Sequence, residues 1–172
     1  MINAMNNKVK LRLLQDKDTD LLYGWINTPE LVSLNAPFKP VSLTQHIEWL
    51  SQIKSSKSVV FFMIDHVETG ETIGSCQLMN ISSFHRSAEL QIRIGHSNFY
   101  GKGLGTDAIR QLVCYGFTSL NLHRISLHVF STNLRAIRAY EKNGFVREGL
   151  LREAAYINQE WVDVVLMGLL NK

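Results

Sequence analysis

Three glycines in five positions, Gly101, Gly103 and Gly105, separate two very different patterns. Before them, residues 88–94 read as a strand. After them, residues 106–119 carry apolar side chains at helical spacing, and residues 124–130 form a β-branched run. A strand, a tight loop, a helix and a second strand close together in sequence must form a crossover unit. Its strands are then parallel and its connection right-handed.

The rest of the chain is arranged around that unit. Val9, Leu11 and Leu13 alternate with Lys10 and Arg12, the period of a half-buried strand. Asp16 stands where a helix N-cap would, ahead of Leu21, Leu22, Trp25 and Ile26. Ser42 and Gln45 match a capping box, opening a helix with Ile47, Leu50 and Ile53 on one face. Residues 59–65 and 72–81 read as paired strands around a turn at 68–71. A helix is expected over 133–143, stopped by Gly144 at its C′ position. Strands around 145–152 and 161–169 close the chain. The three prolines all fall between Pro29 and Pro40 and mark one irregular region. The expectation is a single mixed α/β (α+β) domain over residues 1–172, with about seven strands and about four helices.

Composition narrows the function. Lys plus Arg is 18 and Asp plus Glu is 15, a net charge of +3. That surplus is too small for a nucleic-acid-binding surface and leaves room for one local anion site. No apolar run approaches the roughly 20 residues a membrane helix needs. The polar start of the chain carries no export signal, so the protein reads as cytoplasmic. Cys76 and Cys114 have no CxxC pattern and read as reduced core thiols. No histidine pair has metal spacing, so no metal is expected, and His123 and His128 read as surface or packing residues. An exposed strand edge would allow a homodimer.

The glycine loop is the first candidate for chemistry. Its backbone N–H groups can turn toward one point, and the helix after it adds unpaired N–H groups and a positive dipole end. Together these suit a pyrophosphate. Lys102 adds charge, and the Thr106 hydroxyl can cap the helix or donate. The loop is neither a Walker loop, which needs a following Gly-Lys-Ser or Gly-Lys-Thr, nor a GxGxxG dinucleotide fingerprint. In the next helix Asn133 and Tyr140 are seven residues apart and nearly superposed, with the small Ala136 between them. Such a face suits a ligand lying along it. The plainer alternatives are that Asn133 only caps the helix and Tyr140 only packs.

Residues 100–108 resemble the acetyl-CoA pyrophosphate loop of the GNAT superfamily of N-acetyltransferases. Residues 133–145 resemble its second cofactor motif. Residues 148–152 and 161–167 are similar to the branch containing ribosomal-protein N-terminal and spermidine acetyltransferases. The resemblance is dense from about residue 88 to 170. It implies the GNAT fold, acetyl-CoA as co-substrate, and direct transfer of acetyl to a primary amine. The acceptor would be a small molecule (polyamine, amino sugar or amino acid) or a protein N-terminus such as that of a ribosomal protein. The cofactor would lie against Ile92, Ile94, Tyr100, Gly101, Lys102, Gly103, Leu104, Gly105, Thr106, Asn133, Ala136 and Tyr140. The chain departs from the pattern at Tyr100, where the family usually has Gln or Arg. At Tyr140 it follows the small-amine members, which tilts the reading away from a ribosomal substrate.

An amine with a pKa near 10 must lose a proton before it attacks, and the departing thiolate must gain one. By the resemblance, Tyr140 is the candidate acid and Glu89 the candidate base. Backbone N–H groups between Leu90 and Ile94 would face the thioester carbonyl. Trp25, Phe38, Phe84 and His85 are the candidate acceptor contacts, although for Trp25, on a helical stripe, core packing is the better reading. The rival reading is a non-catalytic acyl-CoA-sensing module, which would need the loop and Asn133 but neither Tyr140 nor Glu89.

Overall fold

The computed structural model describes residues 7–172. The stretch read as lacking an export signal therefore lies, up to Asn6, outside the described residues. Seven strands form one sheet: β1 (Val9–Leu13), β2 (Val60–His66), β3 (Thr72–Ser82), β4 (Ser87–Ile94), β5 (Arg124–Phe130), β6 (Val146–Ile157) and β7 (Glu160–Leu170). Their order is β1-β2-β3-β4-β5-β7-β6. All neighbours are antiparallel except β4 and β5, the pair joined by the crossover.

Among the described residues there are five α-helices: α1 (Thr19–Ile26), α2 (Pro29–Val32), α3 (Leu43–Ser55), α4 (Leu104–Thr118) and α5 (Leu134–Lys142). The extra one is α2, inside the stretch read as irregular. Pro29 sits at its first position, where the missing N–H costs nothing. Asp16 is not the N-cap of α1. It begins a short 3-10 turn, and α1 starts at Thr19.

The two faces of the sheet bury different partners. Leu78, Leu90, Ile125 and Leu127 pack with Ala108, Ile109 and Leu112 of α4 in the main core. Each fully buried Leu or Ile contributes about 1.5–3 kcal/mol. On the other face Phe61 and Met63 pack with Leu22, Trp25, Leu31 and Leu50. The capping box of α3 forms as expected, with the Ser42 side chain accepting from the Gln45 N–H. Its buried face is His46 and Leu50, while Ile47 is 52% exposed, so the helix is rotated from the expected stripe. Cys76 is buried, but Cys114 is exposed on α4 and does not fill the core. Among the described residues no helix is long and apolar enough to cross a membrane.

Candidate active site

β4 and β5 stay in register for only three residue pairs, from Ser87–Arg124 to Glu89–Ser126. Beyond that both strands continue without pairing to each other, β4 to Ile94 and β5 to Phe130. The gap opens a cleft of about 520 Å³, walled by the outer half of β4, the glycine loop, the start of α4 and one face of α5. Backbone polar groups on the opened edge of β4 are thereby left for a ligand.

The loop and α4 form the end of this cleft suited to an anion. Gly101 and Gly103 have φ of +75° and +78°, a region that disfavours side chains. Gly103 is the N-cap, so α4 begins two residues earlier than the spacing predicts. The first intrahelical bond runs from the Asp107 N–H to the Gly103 carbonyl. The N–H groups of Leu104, Gly105 and Thr106 therefore belong to the open first turn, and all three residues line the cleft. Lys102 does not line it. Its ammonium stands 5.6 Å from the Phe99 ring centroid. The positive charge comes instead from Arg135, Arg138 and Lys142 along α5, which the motif reading passed over. The Arg135 guanidinium lies 3.6 Å from the Tyr100 ring centroid, and the Tyr100 hydroxyl donates to the Ile94 carbonyl at 3.3 Å. Tyr100 thus shapes the wall of the cleft. Ile92 and Ile94 line it from the strand side.

On α5 the predicted face holds: Asn133, Ala136 and Tyr140 all line the cleft. The Asn133 side chain is already engaged. Its Oδ1 accepts from the Ala136 N–H at 3.2 Å and its Nδ2 donates to the Leu34 carbonyl at 3.2 Å. It is the helix cap, and it ties α5 to the segment after α2. Tyr140 is 6% exposed and packs edge-on to Phe145. Burial pushes its phenol above the usual phenol range, so it stays protonated at neutral pH.

Glu89 projects from the point where β4 and β5 part, and it lines the cleft. Its Oε1 lies 3.0 Å from His128 Nδ1, and its Oε2 accepts from Asn80 Nδ2 at 3.3 Å. Asn80 reaches it because β3 is bulged between Met79 and Ser82, with Asn80 at φ +53°. His128 therefore belongs to the candidate site and is more than the surface or packing residue expected. Sequence separation hid it, for the partners stand 39 positions apart in the chain. Alternation along the two strands places both side chains on the sheet face opposite Leu90 and Leu127.

A second cavity, of about 700 Å³, lies on that same face beneath α1 and α3. It meets the first at Asn35, Gln91, Ile92 and Arg93. The residues expected to contact an acceptor do not line either cavity. Trp25 is 4% exposed, in the core with Leu22 and Leu50, and its ring occupies the space a side chain at Gly95 would fill. Phe84, 88% exposed, stacks edge-on with His85 at the tip of the β3–β4 hairpin. Phe38 is partly buried in the segment before α3 and also lies off both linings. Among the described residues no cluster of three His, Cys, Asp or Glu side chains could hold a metal.

Residues 8–146 match the family model described as acetyltransferase (GNAT) domain. A spermidine N(1)-acetyltransferase of Vibrio cholerae is 33% identical over 96% of this chain and 95% of its own. An aminoglycoside N(6')-acetyltransferase type 1 of Klebsiella pneumoniae is 29% identical over 87% of this chain and 79% of its own. The crystal structure of spermidine N-acetyltransferase from Vibrio cholerae in complex with CoA and spermine superposes with a TM-score of 0.89. It is 33% identical and covers 96% of each chain.

Proposed function

The chain belongs to the GNAT acetyltransferase family and is an acetyl-CoA-dependent N-acetyltransferase, and from that premise we propose how its own residues carry the transfer. The acceptor is a small primary amine that enters through the second cavity. Acetyl-CoA occupies the cleft between β4 and β5, and the two substrates meet where the cavities join, at Gln91 to Arg93. The observation that carries this reading is the parting of β4 from β5 directly after Glu89. It brings an opened strand edge, a carboxylate and a protonated phenol to one cleft.

Each group has one task. The first-turn N–H groups of α4 and the cations Arg135, Arg138 and Lys142 hold the pyrophosphate and phosphate charge. Glu89, oriented by His128 and Asn80, takes the ammonium proton of the acceptor, directly or through one water. N–H groups on the open edge of β4 donate to the carbonyl oxygen as it gains charge. The Tyr140 hydroxyl gives its proton to the departing sulfur, and burial keeps that proton in place until then. Proton removal at one end and proton delivery at the other make direct transfer possible without an acylated side chain. Cys114, exposed on α4, lines neither cavity.

The test is thiol release from acetyl-CoA with spermidine, aminoglycosides, amino acids, amino sugars and short peptides. Release stimulated by an amine, with stoichiometric N-acetyl product by mass spectrometry, is the expected result. Tight acetyl-CoA binding by calorimetry with no release on any acceptor would sink the proposed chemistry.

A further inference from the structure

The second cavity has cations and no carboxylate. Its lining includes Lys39 and Arg93 and, among the described residues, not one Asp or Glu. His46, also in the lining, is pulled down from its ordinary value mainly by burial and is neutral at pH 7. Neither Lys39 nor Arg93 takes part in any of the ion pairs among the described residues.

Arg93 is the telling residue. It projects from β4 opposite Ser75, on the face that carries Glu89, and it lines both cavities. Its Nε is sealed from solvent and has no hydrogen-bond partner among the described residues. The guanidinium's one side-chain bond, from Nη2 to Asn35 Oδ1, is long at 3.3 Å. Burial pulls Arg93 below its ordinary range, with only partial relief from Tyr100. A planar fork of donors held partly out of water without a counter-ion matches a carboxylate or phosphate, which it can bind through two parallel bonds. A polycation would meet the opposite arrangement: like charge at Lys39 and Arg93, and no acid to replace its lost hydration.

We propose that the acceptor amine carries an oxyanion, a carboxylate or a phosphate, which Arg93 grips from the floor of the second cavity and Lys39 from its rim while the amine faces Glu89. This rests on the reading that the chain acetylates a small amine entering by that cavity. It separates the chain's specificity from that of the spermidine acetyltransferases it is similar to.

The test is acetyl transfer by the full chain to matched amines. Putrescine against 4-aminobutyrate exchanges an ammonium for a carboxylate. Glucosamine against glucosamine 6-phosphate adds a phosphate. The two arms distinguish the two sources of the oxyanion. The expected result is a kcat/KM at least tenfold higher for the oxyanion member of one pair. Arg93→Gln should erase that advantage through KM, and Lys39→Gln, a change at an exposed side chain, should reduce it in the same direction. A higher kcat/KM for putrescine or spermidine overturns the inference, as does an advantage that survives both substitutions. Transfer to spermidine alone would overturn it and leave amine acetylation standing. Acetyl-CoA binding without transfer to any amine would overturn both.

Discussion

His128 Nδ1 stands 3.0 Å from Glu89 Oε1, two residues past Ser126, the last residue of β5 to pair with β4. The ring and the carboxylate share the mouth of the cleft, with side chains 50% and 30% exposed. If they act as one proton-accepting unit, removing both should cost little more than removing Glu89 alone. Glu89→Gln is expected to lower kcat by about 10²-fold, within the range of general base catalysis. His128→Ala should lower it by roughly tenfold, and the double variant should be little worse than Glu89→Gln alone. Fully multiplicative effects in steady-state kinetics would show two independent residues.

Tyr140 offers a cleaner substitution, because Phe keeps the ring that packs on Phe145. Tyr140→Phe should lower kcat by about 10²-fold while acetyl-CoA affinity by calorimetry changes by less than about threefold. The pH dependence has a definite sign. Burial raises the phenol above its ordinary value near 10, so its acid form persists as pH rises to that value. The wild-type kcat should therefore show no alkaline fall below about pH 10 that Tyr140→Phe removes. Such a fall, absent from the variant, would mean that the phenol titrates earlier and is not shielded.

The parts of this molecule legible in its sequence are those set by near neighbours. The glycine loop, α4 and α5 follow from glycine spacing and a helical period, and Gly144, at φ +87°, ends α5 where expected. Misreadings arose where the answer depends on which side of an element faces inward. Phe84, read as a candidate acceptor contact, lies 88% exposed at a hairpin tip, whereas Trp25 takes the core place its helical spacing favours. Ile47 fits the apolar period of α3, yet His46 takes the buried place. His128 and Arg93 needed the register of β4 with its neighbours, a tertiary fact with no local signal. Arg135, Arg138 and Lys142 lie inside the 133–145 motif, but the spacing that marks its ligand face singles out only Asn133, Ala136 and Tyr140.

The loop can be tested apart from the chemistry. Gly103 holds φ +78° at the N-cap of α4, and an added Cβ would stand 3.4 Å from Lys8 Nζ. Space is therefore not the obstacle; backbone conformation is. Gly103→Val should strain the loop by about 1–2 kcal/mol and turn the first-turn N–H groups away. The expected outcome is a rise of about tenfold in the KM for acetyl-CoA with a smaller change in the KM of the amine. Equal changes in both would place the loop's effect elsewhere.

Far from the cleft, Arg12 binds Asp18 through two bonds of 2.7 Å and Asp65 through a third of 2.8 Å. Asp18 also accepts from the Gln15 N–H at 2.9 Å. Burial alone would push its carboxyl up. The Arg12 bonds outweigh that, and the net value lies below the usual carboxylate range. A lowered folded-state value stabilises the protein above the unfolded value of about 3.9, and the contribution is lost as pH falls below it. The Asp18 side chain is 4% exposed and that of Arg12 is 15%, so solvent screens the pair little. Asp18→Asn keeps the shape and removes the charge, leaving Arg12 with Asp65 alone. It should lower unfolding free energy at pH 7 by about 3 kcal/mol, the low end for a broken buried pair, because Asp65 still holds Arg12. The variant should also lose less further stability than wild type between pH 5 and pH 3. Urea unfolding at both pH values measures this. Parallel losses in the two proteins would mean that Asp18 does not set the acid limb.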